Sequence, residues 1–122
     1  MIQQESQVKV IDNTGAKSGR VIRVLKGSFP TYATVGDKVV IAIKSAVPGG
    51  QASKGEVAHA VVVRTRKEVK RPDGSYIRFG DNAVALVGKD GAPRGKRIFG
   101  PVAKELRSKG YKTVANMAEE II

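Results

Sequence analysis

The first indication of the fold is the sequence KVVIAIK at residues 38–44, a nearly continuous apolar run between two lysines. A run of this length fits a β-strand that is covered on both faces or closed into a barrel. The turn sequence VGD comes directly before it at residues 35–37, and Gly27–Thr34, which contains Pro30, is predicted as a loop. This segment is therefore predicted to be a central strand of a small sheet.

Four other segments share this character, because each is rich in Val and Ile and is bounded by turn residues. They are Gln7–Ile11, Gly19–Leu25, Glu56–Thr65 and Asp81–Val87. Short strands joined by Gly-rich turns are typical of small barrels, and the sequence contains 14 glycines. The predicted fold class is therefore mainly β, with a small five-stranded β-barrel.

The C-terminal part of the sequence has a different pattern. Helical periodicity begins at Pro101, a residue that is tolerated at the first position of a helix. Val102 and Leu106 then fall on one face, and Gly110 is placed to end the helix. The tail Thr113–Ile122 has helical spacing but is also compatible with a strand. We therefore expect a short C-terminal helical region.

The length of 122 residues predicts one domain that spans residues 1–122. We expect the barrel in about residues 1–92, including a protruding β-ribbon at residues 64–79. A C-terminal loop and helices are expected in about residues 93–122. No repeat or low-complexity segment divides the sequence.

The composition indicates the class of partner. The chain has 22 Lys and Arg against 11 Asp and Glu, a formal net charge of +11. Such an excess of cations on a small domain is typical of nucleic-acid binding. An anionic membrane would require a basic amphipathic helix, which the pattern lacks. The longest apolar runs are far shorter than a membrane span, and no signal peptide is recognisable, so we expect an intracellular protein.

The most basic segment is also predicted to form a ribbon. Residues 64–71, RTRKEVKR, carry five cations and one carboxylate, and the hairpin turn sequence PDGS follows at residues 72–75. A turn at this place would set Arg71 opposite Ser75, Val69 opposite Ile77, and Glu68 opposite Arg78. Because an isolated cationic ribbon is marginally stable, it is predicted to lie against a polyanion such as RNA.

Two aromatic residues of the ribbon have two interpretations. Tyr76 and Phe79 either pack beneath the ribbon or stack on unpaired bases, and packing is the favoured interpretation. The charge run itself is compatible with an ordinary solvated surface, although the net charge of the whole chain favours RNA.

A second basic cluster, PRGKRIFG, lies at residues 93–100. Its cations could bind phosphate, and a helix N-terminus after Gly100 would add partial positive charge. The alternative is an ordinary surface loop. The spacing does not match a P-loop, because Arg97 stands where that motif has a hydroxyl residue.

The sequence offers little for catalysis. His59 is the only histidine, and there is no cysteine, so no Cys or second His can pair with it as nucleophile and base, and no thiolate metal site can form. A metal or paired-carboxylate site could still assemble in three dimensions, although no spacing in the sequence calls for one. Most carboxylates lie in turns, where hydrogen bonds to the backbone explain them. We therefore predict a protein that is not an enzyme and has no cofactor.

Motifs in the order of a known family run through nearly the whole chain. They are DNTGA at 12–16, IRVL at 22–25, VGD at 35–37, AVVVRT at 60–65, RPDGSYIRF at 71–79, NA at 82–83, PRG at 93–95, RIFGPVA at 97–103 and ELR at 105–107. This set closely resembles the universal large-subunit ribosomal protein fourteen family in its bacterial form. Each motif alone is weak, but together they are highly specific.

The resemblance implies a structural component of the large ribosomal subunit that binds large-subunit rRNA and contributes to intersubunit bridges with small-subunit rRNA. Ribosomal proteins three and nineteen of the large subunit would be its neighbours, and a ribosome-silencing factor would dock on the exposed interface. The expected location is the cytoplasm, within the ribosome, with an organellar ribosome as the alternative. A free RNA chaperone or translation factor with the same barrel stays open as a second hypothesis.

The chain departs from the family pattern in three places. Lys96 stands where the family usually has Thr, the strand at 83–87 shifts a usual Val position, and the tail Tyr111–Ile122 has Ala118-Glu119 in place of an Ala-Pro step. These features resemble a diverged member. Because the tail is close to the surface that a silencing factor would use, that partner stays open.

The predicted RNA contacts are basic side chains in three groups. The ribbon provides Arg64, Arg66, Lys67, Lys70, Arg71 and Arg78, the second cluster provides Arg94, Lys96 and Arg97, and Lys17, Arg20, Arg23, Lys44 and Lys54 are further candidates. Lys and Arg at these places would neutralise phosphates and release counterions.

Overall fold

The computed structural model describes residues 2–25 and 32–122, so most of the predicted loop at Gly27–Thr34 lies outside the described residues. The described residues form nine strands and two short helices. In chain order these are β1 (Gln7–Val10), β2 (Ala16–Leu25), β3 (Lys38–Ala46), β4 (Val57–Arg64), β5 (Val69–Lys70), β6 (Tyr76–Ile77), β7 (Ala83–Val87), β8 (Ile98–Val102), α1 (Glu105–Ser108), α2 (Lys112–Asn116) and β9 (Ala118–Ile121).

The five predicted strands close into a barrel, in the order β1-β2-β3-β4-β7. Neighbouring strands are antiparallel except where β1 meets β7, which is a parallel pair with Lys9 opposite Ala83. β2 begins at Ala16, earlier than predicted, because irregular pairing near Ser18 lets its start reach Ala46 at the end of β3. The prediction of a mainly β protein with a five-stranded barrel is confirmed.

The apolar runs of the sequence contribute to two hydrophobic clusters, and some strands contribute side chains to both. In β4, Ala60 and Val62 point into the barrel, whereas Val61 and Val63 face a second cluster outside it. β7 divides its side chains in the same way, so these two strands are covered on both faces. In β3, by contrast, Ile41 and its alternate neighbours are buried inside the barrel while the outer face is partly exposed.

The second cluster is built largely from the C-terminal region, which lies against the barrel. Leu106 on α1 and Val114 on α2 are buried together with Ile98 and Val102 of β8. β8 and β9 form a parallel two-stranded sheet, with Val102 opposite Ile121. Residues after 97 therefore cover the outer side of β4 and β7.

The predicted helix start at Pro101 is wrong. Pro101 lies in β8, where it pairs with Glu120 of β9, and the first helix begins only at Glu105. The strand forms because Phe99 donates its amide to the Ile11 carbonyl at 2.8 Å, and β9 provides the second partner. The predicted stop at Gly110 agrees with its positive φ of 95°, although α1 already ends at Ser108.

The tail combines both of the structures that its spacing allowed, a helix at Lys112–Asn116 followed by a strand at Ala118–Ile121. Each helix spans only four or five residues. In the parts of the chain that the structure describes, no helix has the length and apolar character that crossing a membrane demands.

Candidate nucleic-acid interface

The basic ribbon has the predicted register. Val69 lies opposite Ile77, and the Arg71 amide donates to the Ser75 carbonyl at 2.9 Å. The turn closes with a hydrogen bond of 3.0 Å from the Gly74 amide to the Arg71 carbonyl, and Gly74 has a φ of 88°, which favours glycine. The paired strands are only two residues long each, so the ribbon depends on other contacts.

The Asp73 carboxylate orders the turn from within. It accepts hydrogen bonds from the Ser75 hydroxyl at 2.7 Å and the Ser75 amide at 3.0 Å. These two bonds hold the pKa of Asp73 below its ordinary value. The turn is therefore a local structure that its own four residues specify.

The ribbon also packs on the barrel. Phe79 and Val69 are partly buried against the second hydrophobic cluster, and the Phe79 amide donates to the Thr65 carbonyl at 3.0 Å. Tyr76 is 61% exposed, so the packing interpretation applies to Phe79 and not to Tyr76. The ring of Tyr76 is exposed to solvent.

Glu68 has cationic neighbours on both sides. Its carboxylate lies 3.6 Å from Lys67 Nζ, and it lines a surface recess together with Tyr76 and Arg78. A hydrogen bond from its own backbone amide and the charge of Lys67, with a smaller effect from Arg78, hold the pKa of Glu68 below its ordinary value. Glu68 and Arg78, which were predicted to lie opposite each other, line the same recess of the ribbon.

Three of the predicted RNA contacts are partly buried in ion pairs with carboxylates of the chain. The Arg64 Nη2 donates to Asp81 Oδ2 at 3.2 Å, and the Arg64 side chain is only 13% exposed. Arg94 Nη1 donates to Glu56 Oε2 at 2.8 Å, and this hydrogen bond holds the pKa of Glu56 below its ordinary value. The third is Arg71, which binds a carboxylate of α1.

Other predicted cations meet in one groove. A groove of about 480 Å³ crosses β1 and β2, and its basic side chains are Lys9, Arg20, Lys44 and Arg66. We call this groove, with its four basic side chains, the barrel groove. The side chains come from β1, β2, β3 and the segment after β4, so closure of the barrel is what brings them together.

The barrel groove continues into the ribbon. Arg66 and Gly80 line both the groove and a second recess, which also contains Arg78 and Phe79. The Arg66 backbone is held in place because its amide donates to Asn82 Oδ1 at 2.9 Å. The result is a continuous basic surface from β3 to the ribbon.

Lys9 is the groove residue that the sequence prediction missed. It forms an exposed ion pair with Asp81 at 3.6 Å, and Arg20 forms a similar one with Glu5. Such exposed pairs contribute about 0–1 kcal/mol, so they hold these two cations only weakly. The signal available in the sequence was the alternation of polar and apolar residues in Gln7–Val10, which places Lys9 outward between Val8 and Val10.

The second basic cluster is fixed to the turn after β1. Asn13 Oδ1 accepts the amides of Lys96 and Arg97 at 2.8 and 3.3 Å. The Arg97 guanidinium lies 5.8 Å from the centre of the Phe99 ring, which is 47% exposed. The predicted helix N-terminus after Gly100 is wrong, because Gly100 lies in β8, so no helix dipole contributes here.

The remaining predicted contacts are exposed but dispersed. Lys17 lines a neighbouring groove of about 490 Å³ together with Phe99. Lys67 and Lys70 are exposed on the ribbon. Arg23 on β2 and Lys54 before β4 are exposed as well, and neither lines the barrel groove.

The described residues contain no group of three or more His, Asp or Glu side chains that could hold a metal ion. His59 lies on β4 between Val40 and Val87, and its Nδ1 is buried without a hydrogen-bond partner. Burial, with the charges of Lys38 and Lys89, lowers the pKa of His59 below its ordinary value.

A comparison with protein families gives one finding that covers the whole chain. A family model described as ribosomal protein L14p/L23e matches residues 1–122. The match includes the barrel, the ribbon and the C-terminal region.

Proposed function

The chain belongs to the ribosomal protein L14p/L23e family, and from this premise we propose that it binds large-subunit rRNA through the barrel groove and the ribbon. The family implies a structural role in the large ribosomal subunit, which is not an enzymatic one, and a location within a ribosome. The observation that carries the proposal is the continuous basic surface, in which Arg66 joins the barrel groove to Arg78 on the ribbon.

The chemistry of this surface suits RNA. Exposed Lys and Arg side chains would replace the counterions of backbone phosphates, and the exposed Tyr76 ring would stack on an unpaired base. The chain carries twice as many cations as carboxylates, and several carboxylates are already paired within the fold. The unbalanced charge is therefore concentrated on exposed side chains.

We assign the predicted contacts to two roles. Those that would touch phosphate are the exposed cations Arg66, Lys67, Lys70, Arg78, Lys96, Arg97, Lys17, Arg20, Arg23, Lys44 and Lys54, together with Lys9. Arg64, Arg71 and Arg94 would chiefly hold the surface in shape, because each is partly buried against a carboxylate.

The exposed surface around Phe99, beside Lys96 and Arg97, is the one that we also assign to partners other than large-subunit rRNA. Small-subunit rRNA across the subunit interface, ribosomal proteins three and nineteen, and a ribosome-silencing factor are the candidates that the family resemblance implies. An exposed aromatic ring beside cations suits either RNA or protein. We also propose that residues 1–122 act as one domain, since the second cluster joins the barrel to the C-terminal region.

The proposal is tested by sedimentation of a tagged chain expressed in cells. The protein is expected to migrate with large subunits in stoichiometric amount through a sucrose gradient at moderate salt. A protein that leaves the subunits at moderate salt would instead be a free RNA-binding factor, and the proposed structural role would be rejected.

A further inference from the structure

Arg71 belongs to the ribbon, yet its side chain faces the C-terminal region. Its Nε donates to Glu105 Oε2 at 3.0 Å, and its Nη2 donates to Glu105 Oε1 at 3.2 Å and to the Ile122 carbonyl at 2.6 Å. The side chains of Arg71 and Glu105 are only 13% and 19% exposed. Little of this guanidinium is therefore accessible to a phosphate.

The pair favours the charged form of the Glu105 carboxyl group. Burial alone would raise the pKa of Glu105, but hydrogen bonds from Arg71 and from its own backbone amide, and the charge of Arg71, hold it below its ordinary value. A bidentate bond between an arginine and a carboxylate also fixes the angle between the two groups. The pair is therefore a rigid connection between the ribbon and α1.

Side chains alternate between the two faces of β5 and the residue after it, so Arg71 and Lys70 point in opposite directions. Val69 faces the second hydrophobic cluster, Lys70 is exposed on the other face, and Arg71 points inward again. The backbone of Arg71 also closes the turn through its bond to Ser75. The side chain therefore ties the turn end of the ribbon to the C-terminal region, while the paired strands alone are too short to fix it.

We propose that Arg71 is a positioning residue, whose pair with Glu105 holds the ribbon at a fixed angle so that Lys70 and Arg78 meet RNA phosphates. The inference rests on the proposed rRNA binding and deepens it. According to this inference, the acidic residue Glu105 is necessary for tight binding to rRNA, which is itself a polyanion. Simple electrostatics gives the opposite result, because removing a carboxylate strengthens attraction to RNA.

The test uses the full chain with Glu105→Gln, and Lys70→Ala as the comparison. Glu105→Gln keeps the shape of the side chain and one oxygen acceptor, so the fold is expected to persist, and circular dichroism checks this. The probes are deproteinised bacterial large-subunit rRNA and a random-sequence RNA duplex. We expect Glu105→Gln to weaken rRNA binding roughly tenfold through lost phosphate contacts, while binding to the random duplex stays equal or rises.

A charge-exchanged double variant, Arg71→Glu with Glu105→Arg, keeps the net charge and rebuilds the pair in reverse. It is expected to regain most of the rRNA affinity that Arg71→Glu alone loses. If Arg71 instead bound phosphate directly, the exchange would not rescue binding. Amide exchange at Arg71 and Gly74 in the RNA-free protein is expected to rise in Glu105→Gln and to stay unchanged in Lys70→Ala.

The outcomes separate this inference from the proposed function. Unchanged amide exchange and unchanged or tighter rRNA binding in Glu105→Gln would overturn the positioning role, while weaker binding by Lys70→Ala would leave the RNA-binding function standing. If Lys70→Ala and Glu105→Gln both bound rRNA like the wild type, the positioning role would fail, and the proposed rRNA binding would rest on the barrel groove alone.

Discussion

At the scale of single residues, Asp12 is the buried carboxylate that joins the turn after β1 to β7. It is 4% exposed and accepts hydrogen bonds from the Leu86 amide at 2.7 Å and the Thr14 hydroxyl at 2.6 Å. We predict that Asp12→Ala lowers the free energy of unfolding by about 2–3 kcal/mol, because the buried Leu86 amide loses its charged acceptor. Urea unfolding measures this change.

The matched control is Asp90→Ala. Asp90 is exposed and accepts the Ala92 amide at 3.1 Å within a surface turn. Its substitution is expected to cost only about 0.5 kcal/mol. Equal effects of the two substitutions would show that the Asp12 contacts add nothing to stability.

A second residue-scale prediction concerns His59, the only histidine. Its folded-state pKa is lowered by burial and by Lys38 and Lys89, so the unfolded chain binds the proton more tightly. Stability from neutral His59 is fully present above the unfolded pKa of about 6.5 and is lost as the pH falls through the lower folded pKa. NMR titration of the single imidazole and urea unfolding between pH 7.5 and 5 measure both effects.

The control for this pH dependence is His59→Gln, which cannot take up the proton. Its stability is expected to stay nearly constant over the same pH interval. An imidazole that titrates at or above about 6.5 would contradict the expected effect of burial.

The identity of the cations could be predicted from the sequence, but their partners could not. Arg64 and Arg71 are separated from Asp81 and Glu105 by 17 and 34 positions, so only the folded chain shows that they are paired. The alternation of side chains along the strand predicts part of this arrangement. In β5 an inward Val69 implies an inward Arg71 and an exposed Lys70.

At the scale of elements, the ribbon and the C-terminal region show what local sequence can specify. The register of the ribbon was predictable because the turn from Pro72 to Ser75 is built by its own residues. The strand β8 was not, because its pairing partner β9 lies about 20 residues later and Pro101 suggested a helix. Pairing distant in sequence overrides a local helix signal there.

The glycine of the turn supports an element-scale prediction. Gly74 has a φ of 88°, and a methyl group added to its Cα would meet open space, so Gly74→Ala would cost about 1 kcal/mol from backbone strain alone. The ribbon is expected to open more often, which faster amide exchange at Arg71 would report. Gly80→Ala is the control, because Gly80 lies in equally open space without a positive φ.

The result that would contradict this prediction is equal exchange in the two variants. Gly80→Ala is expected to leave exchange at Arg71 unchanged, because its substitution strains no backbone in the turn. A less flexible unfolded chain changes the stability of the whole protein and not the local opening of the ribbon.

At the scale of the whole molecule, two strands of the barrel contribute side chains to both hydrophobic clusters. β4 and β7 bury one set of side chains inside the barrel and the other set under the C-terminal region. This arrangement explains why their apolar runs were recognisable in the sequence, whereas the barrel groove was not. The groove exists only because closure of the barrel brings Lys9, Arg20 and Lys44 beside Arg66.

The positive charge of the molecule is therefore distributed unevenly over its surface. The formal net charge is +11, and the proposed binding surface gathers cations from four separate parts of the barrel as well as from the ribbon. Counterion release should then depend on which cations are removed and not only on how many.

The most direct measurement is the salt dependence of rRNA binding by two variants that each lose three positive charges. One carries Lys44→Ala, Arg66→Ala and Arg78→Ala on the proposed surface, and the other replaces the exposed Lys89, Lys104 and Lys112 by Ala. The slope of log K against log salt is negative, and its magnitude is expected to fall by about 2.7 in the first variant, at about 0.9 per phosphate contact, and to change little in the second. Equal changes in both variants, or no change in the first, would contradict the proposed surface.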